Sequence, residues 1–215
     1  MKTPKDKRIC MVPGCDRVLC AHNYCQRHYD QFKYWGRILG RTSHDPNEIR
    51  VDGGVAFIAL YTNDQKIIAE TVVDADDVGR VSTKKWCLIS SGYVVSGENQ
   101  EYIRLSRFIM NETRKGVEID HRDRDKLNNR KYNLRPATRS QNRANSGKQK
   151  DSANPFKGVF FRKNPGKWEA SICRDYKRHY LGYFDNPKGA AIAYDEAAVR
   201  LNGEFACTNK MMGLI

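Results

Sequence analysis

Apolar and polar positions alternate along this chain in short runs, and the runs are bounded by turn formers. Residues 55–61 and 66–73 read as two strands around the turn 62–65, and 85–88 with 92–95 as a further hairpin around Ser90-Ser91. Residues 102–110 predict a strand running into a short amphipathic helix, with apolar side chains at 105, 108 and 109. A strand over 117–121, a polar loop and a second short strand follow. Thr138-Arg-Ser-Gln141 then matches a capping box that opens a helix carrying Asn142. Farther on, 156–162, 166–172 and 178–184 predict three antiparallel strands. A helix over 187–201 comes next, with Asn186 as its N-cap and Ala190, Ala191, Ala193, Ala197 and Ala198 as a flat packing face.

Turn formers crowd residues 41–54, and Ser, Asn, Lys and Gly crowd 144–154, so both stretches read as linkers. They divide an α+β chain into modules at 1–40, 55–146 and 155–208. Asp74, Asp76 and Asp77 read as a solvated turn or helix start, because no His or further carboxylate joins them nearby.

Charge adds a partner. The 215 residues carry a net charge of +13. Ten of their Lys and Arg, against two Asp, fall in residues 121–150, while 41–100 is acidic. The basic block interleaves its charges with Leu127, Tyr132 and Leu134, the signature of a folded cationic surface and not of a repelling tail. Such a surface suits double-stranded DNA, and Arg135, Arg139 and Arg143 are its candidate phosphate contacts. No apolar run approaches the roughly 18 residues needed to span a bilayer, which excludes a membrane-spanning helical protein. No apolar segment follows the basic start Met1–Arg8, so an intracellular setting is expected, the cytoplasm of a bacterial host if the chain is phage-encoded.

Four of the seven cysteines lie within residues 10–25. Cys10-x4-Cys15-x9-Cys25-x2-His28 offers three sulfurs and one imidazole in two close pairs, the donor set of a closed, structural zinc site. Cys20 and His22 lie between the pairs as spares, either of which could substitute. Disulfides are the alternative, and the expected intracellular setting disfavours them.

The densest chemistry is at Asp120-His121. Hydrolysis of a phosphodiester needs a base that works near neutral pH, which His121 supplies. It also needs compensation of the charge on the leaving oxygen. Asp120 and Asn142 offer hard oxygens for Mg²⁺ or Mn²⁺. Asn133 is placed to fix the loop and orient the imidazole. Neighbours on a strand point to opposite faces, so Asp120 and His121 are expected to need a twist or bulge to share one site. Asp-His, an Asn twelve residues after the His, Asn-Leu-Arg, and Ser-Gln-Asn ending twenty-one residues after it resemble the HNH endonuclease motif. The likeness is closest to the phage and intron-encoded group with a ββα-metal fold, in which the third position is Asn instead of His. It implies His121 as general base, Asp120 and Asn142 as cation ligands, Asn133 as the structural Asn, and products with 3′-hydroxyl and 5′-phosphate ends.

Gly158-Val, Lys167-Trp-Glu-Ala, Tyr180-Leu-Gly-Tyr-Phe, Ala193-Tyr-Asp-Glu-Ala-Ala and Asn202-Gly-Glu-Phe-Ala resemble the Apetala/ERF-type DNA-binding domain of plant ethylene-response factors. That resemblance implies DNA contacts from Lys157, Arg162, Lys167, Trp168, Arg178 and Tyr180. For Trp168 a packing role stands beside the contact. Phe160, Ser171 and Cys173 stand near the plant domain's base-reading Arg positions, so its target sequence does not transfer. The combined expectation is a metal-dependent HNH endonuclease that nicks duplex DNA as a monomer, or cuts both strands as a dimer, at a directed, homing-like site. The alternative is a DNA-binding regulator with an inactive nuclease core.

Overall fold

The computed structural model describes residues 8–42, 45–98, 101–148 and 154–215. Residues 1–7, 43–44 of the first expected linker, 99–100, and 149–153 of the second linker lie outside the described residues. No helix among those described is long and apolar enough to cross a membrane.

Helix α1 (Gln26–Trp35) ends at Gly36, whose φ of 65° supplies the left-handed turn that closes the last carbonyls. Strands β1 (Ile49–Asp52), β2 (Val55–Tyr61) and β3 (Ile67–Asp74) form an antiparallel sheet in that order. β1 falls inside the stretch read as a linker. Its two apolar residues, Ile49 and Val51, were too few to stand out among Asp and Gly, and pairing of Ile49 to Ile58 makes the strand. A short helix α2 (Val78–Val81) leads to the sheet β4 (Cys87–Leu88), β5 (Val94–Glu98) and β6 (Glu101–Arg104), and then to α3 (Leu105–Ile109).

The hairpin β7 (Glu118–His121) and β8 (Leu134–Ala137) is followed by α4 (Arg139–Asn145). Thr138 and Gln141 close both halves of the capping box at the start of α4, as the sequence predicts. One core joins these elements. Trp86, 1% exposed, packs with Ile58, Leu60, Val73, Leu105, Ile119 and Leu134, and its Nε1–H donates to the Val81 carbonyl at 2.8 Å. The β2–β3 ribbon also holds the loop between β7 and β8. Val72 exchanges backbone hydrogen bonds with Leu127 and Asn129 at 2.8 Å each, and the Thr71 hydroxyl donates to Leu127 O.

The helix start read at Asp74–Asp77 is present, as a single 3-10 turn over Ala75–Asp77 leading into α2, but the carboxylates at 74 and 77 face protein partners and not solvent alone. Asp74 accepts from Arg130 Nε and from the Lys131 amide, both at 2.8 Å, and the buried Asp77 pairs with Lys131 Nζ at 2.9 Å. These carboxylates pin the far end of the same loop. Their partners lie more than fifty residues away, beyond the reach of a local reading.

Strands β9 (Val159–Arg162), β10 (Lys167–Arg174) and β11 (Lys177–Phe184) form a sheet with β10 at its centre, and α5 (Pro187–Asn202) lies across it. Asn186 caps α5 through the Gly189 amide, and Ala190, Ala191, Ala197 and Ala198 are buried against the strands. At Gly158, φ is +73°, and a Cβ would sit 1.9 Å from the Tyr194 ring and 2.9 Å from Ser171 O. Gly158→Ala is therefore expected to destabilise the sheet–helix unit by about 3 kcal/mol, from strain and overpacking together. The check is the thermal unfolding midpoint of the full chain, followed by circular dichroism.

Candidate active site and metal centre

The register of β7 against β8 runs from Glu118↔Ala137 to His121↔Leu134 without a shift. Of the expected twist or bulge at Asp120-His121, the bulge is therefore absent. Both residues nevertheless line one cavity of about 600 Å³, because β7 stops at His121 and its end opens into that space. Glu118, Asn142 and Asn145 share the lining, with Arg124, Lys126, Arg139 and Arg143 around it.

Asn129 carries the His121 ring. Its Nδ2 donates to Thr71 Oγ at 2.9 Å and to Lys126 O at 3.0 Å, so its Oδ1, 3.2 Å from His121 Nε2, must accept from the ring. A neutral His121 therefore keeps its proton on Nε2 and its lone pair on Nδ1. Burial pushes the imidazole pKa below the ordinary value of 6.5. The Asn129 hydrogen bond and the Asp123, Asp120 and Asp125 charges oppose that shift without overcoming it. Asn133, expected to orient the ring, does only the other half of its task. It accepts from the Asp123 amide and donates to Asp123 Oδ1 and Asn128 O, which fixes the loop. A run of two adjacent Asn in a polar loop gave no sign that Asn129 was the one facing the ring.

Asp120 is 3% exposed. Its Oδ2 accepts from Arg135 Nε and Nη2 at 2.8 Å each, and its Oδ1 from Asn145 Nδ2 at 2.9 Å. Asn142 donates to Glu118 Oε2. Glu118 sits two residues before Asp120 and so on the same face of β7, a spacing that could have marked it. Two carboxylates and a carboxamide on one cavity wall are hard oxygen donors, and that set fits a hard divalent cation.

At the N-terminus, Cys10, Cys15, Cys25 and His28 converge with all ligand atoms within 4.8 Å of one another. Cys15 Sγ and Cys25 Sγ are 3.9 Å apart, close to the edge of a tetrahedron with metal–sulfur distances of about 2.3 Å. All four belong to a metal-type cluster of free side chains. Burial pushes the Cys10 thiol up, but hydrogen bonds from His28 and from the Cys25 and Val12 backbone outweigh it and bring the pKa down to about 6. Cys20 is exposed and hydrogen-bonds Gln26, while His22 stacks on Tyr29, so both spares stand outside the cluster.

The expected DNA contacts divide. Arg139 and Arg143 are exposed on α4 at the cavity rim. On the sheet, Arg162 and Arg178 share Glu169, Lys167 pairs with Asp185, and Tyr180 is exposed beside Tyr183. Two expectations are corrected, and a third is narrowed. Arg135 is 5% exposed and committed to Asp120. Lys157 donates its Nζ protons to the carbonyls of Ala144, Ser146 and Cys207, and burial lowers its pKa. Trp168, half-buried, packs on the core beneath the sheet and against the exposed Phe161, which supports the packing role that stood beside the contact.

A hairpin, a polar loop and a capped helix around an imidazole–carboxylate cavity are the arrangement of a ββα nuclease, here joined to a sheet-and-helix unit of the kind that binds DNA. The chain belongs to the HNH endonuclease family and carries an AP2 domain. Residues 113–144 match the HNH endonuclease family and residues 155–204 the AP2 domain. The uncharacterized HNH endonuclease L560 of Acanthamoeba polyphaga mimivirus is 36% identical over 177 residues, covering 80% of this chain and 90% of that protein. The ethylene-responsive transcription factor ERF069 of Arabidopsis thaliana is 37% identical over 102 residues, 44% of this chain and 60% of that protein. The dehydration-responsive element-binding protein 1G of Oryza sativa subsp. indica is 41% identical over 70 residues, 31% of each chain. These matches support nuclease activity in general, and both domain types indicate DNA binding.

Proposed function

We propose that this chain is a metal-dependent endonuclease that hydrolyses one strand of duplex DNA, with directed, homing-like site choice. The observation that carries this reading is the pair of groups at the end of β7. His121 has a neutral ring whose Nδ1 is its acceptor, and the Asp120 carboxylate opens into the same cavity. His121 Nδ1 takes the proton of the attacking water. Asp120 and Asn142 hold Mg²⁺ or Mn²⁺, with Glu118 beside them. The cation supplies charge neutralisation at the scissile phosphate and the leaving oxygen. Asn133 keeps the loop in shape and Asn129 keeps the ring in one tautomer.

Zn²⁺ is the ion assigned to the Cys10, Cys15, Cys25 and His28 cluster. The finger (1–40), nuclease (55–146, now with β1) and AP2 unit (155–208, extended to include the buried Asn209) divide the work of holding and cutting the duplex. Arg143 borders both the nuclease cavity and the cleft lined by Arg162 and Arg178, which supports a continuous path for the phosphate backbone between them. One such cavity among the described residues favours nicking by a monomer.

Supercoiled plasmid tests the reading against that of a DNA-binding regulator with an inactive core. With Mg²⁺ the wild type is expected to relax the plasmid, and Asp120→Asn to lower the rate by about a hundredfold or more while duplex binding holds. Equal relaxation by both proteins, or none by the wild type with any divalent ion, would remove the enzyme claim.

A further inference from the structure

Arg135 belongs to two modules at once. From below, its guanidinium holds Asp120 Oδ2. From above, it is gripped by the turn that follows α5. Nη1 donates to Glu204 O at 2.7 Å and pairs with Glu204 Oε2 at 3.2 Å, and the Phe205 ring lies 3.7 Å from the guanidinium carbon. Phe205 is buried, and no other aromatic ring stacks on this guanidinium among the described residues.

The same turn reaches the nuclease loop twice more. Arg122 pairs with Glu204 at 2.9 Å, and Arg124 donates to Cys207 Sγ at 2.7 Å. A planar fork held on its face by an aromatic ring and at one edge by a carbonyl and a carboxylate has one orientation left for its remaining nitrogens. That orientation points them at Asp120. The charge balance matters as well. Without Glu204, the whole guanidinium charge would fall on Asp120 and compete with a cation for its oxygens.

We propose that the Glu204–Phe205 turn of the AP2 unit is a working part of the nuclease site. It sets Arg135 as the positioning residue for Asp120, so that cation affinity depends on the AP2 unit being docked. This inference rests on the reading of Asp120 as a cation ligand. It makes the AP2 unit more than a tethered reader of DNA, because loss of the turn's grip would weaken the cutting site even on DNA already bound.

The experiment uses the full-length, zinc-loaded chain in a His121→Ala background, which cannot cut, with saturating duplex DNA. Mn²⁺ affinity is measured by electron paramagnetic resonance for this parent and for Glu204→Gln, Arg135→Lys and Asp120→Asn added to it. Duplex affinity and the thermal midpoint are measured in parallel. Mn²⁺ competes poorly with zinc for thiolates, so the N-terminal cluster does not contribute. Glu204 is largely exposed, with 60% of its side chain accessible, so its replacement is expected to leave the thermal midpoint unchanged.

The expected result is a rise in the Mn²⁺ dissociation constant of about tenfold for Arg135→Lys and a smaller rise for Glu204→Gln, with DNA affinity retained. In the His121 wild-type background, the Mg²⁺ concentration for half-maximal nicking rises by the same factors. If Asp120→Asn loses Mn²⁺ while both other variants bind as the parent does, the inference fails and the active-site reading stands. An equal fall in Mn²⁺ affinity and thermal midpoint for Arg135→Lys, with Glu204→Gln silent, reduces Arg135 to a structural strut and also overturns it. If Asp120→Asn itself binds Mn²⁺ like the parent, the active-site reading falls and takes the inference with it.

Discussion

His121→Ala is expected to lower plasmid nicking by about 10²- to 10⁴-fold, the range general bases contribute, while duplex affinity stays near the wild-type value. The side chain is buried and its ring bonds Asn129, so its loss removes the base without removing an exposed cation. The pH profile carries the same assignment. Burial lowers the imidazole pKa, so the acid limb of the nicking rate is expected below pH 6.5, with the base fully available at neutral pH. A cation held by Asp120 acts in the same direction, because it too disfavours the imidazolium.

Stability follows with a definite sign. The unfolded ring binds its proton near pH 6.5 and the folded ring only at lower pH. The contribution of the neutral buried ring is therefore present above 6.5 and is lost as pH falls through that value toward the folded pKa. His121→Ala removes that dependence. An acid limb centred above 6.5 in the wild type, or nicking by the variant within threefold of it, would show that another group is the base.

Local pattern reached far into this fold, and it stopped where partners are distant. Short apolar runs bounded by turn formers located β2, β3 and the three strands of the AP2 sheet, and no period-2 pattern was needed: β2 buries Ile58, Ala59 and Leu60 in succession, and β10 buries residues 169–172. The box at Thr138 and Gln141 was readable because both partners sit within four residues. Asp120, His121 and Asn142 were legible as a set through motif spacing, and the cavity contains all three. What failed shares a cause. Arg135 and Lys157 carry the same charge as Arg139 and Arg143, but the strand and the packed AP2 turn enclose them, and charge alone does not tell a solvated cation from an enclosed one. Arg122, Arg124 and Arg135 all face residues 204–207, so part of the basic block binds the chain itself instead of DNA. Trp168 follows Lys167 on a strand, and the alternation that points the lysine outward turns the indole inward. Asn129 and Glu118 lay beside motif residues without being part of the motif.

Removing the ion from the N-terminal cluster is expected to unfold residues 8–36 while the remainder of the chain keeps its cooperative transition. The segment has almost no core of its own. Among its described apolar residues only Cys10 and Cys25 are buried, whereas Ile9, Met11, Val18, Phe32, Tyr34 and Trp35 are exposed. α1 has ten residues and begins at Cys25 without a side-chain cap, and an isolated helix shorter than about 12 residues is marginal in water. Structural zinc in small fingers contributes on the order of 10–16 kcal/mol at neutral pH, far more than the few contacts of this segment can replace.

The Cys10 thiol, brought down to about 6, supplies a thiolate at pH 7. Cys15, despite the hydrogen bond from the Arg17 backbone, is pushed up by burial and by Cys25 and Cys10. Taking up an ion therefore releases a proton, and affinity is expected to fall as pH falls. A strong chelator at pH 7 should therefore release one zinc per chain, measured with a colorimetric dye, and remove the far-ultraviolet signal of about one ten-residue helix. Cys25→Ser should reproduce that loss without chelator. Cys20→Ser should retain both zinc and helix, because Cys20 bonds Gln26 and lies outside the cluster. Retention of the helix by the chelated wild type would show that this segment is held by contacts such as those of Arg27 with Thr42 and Asp45, and not by a metal.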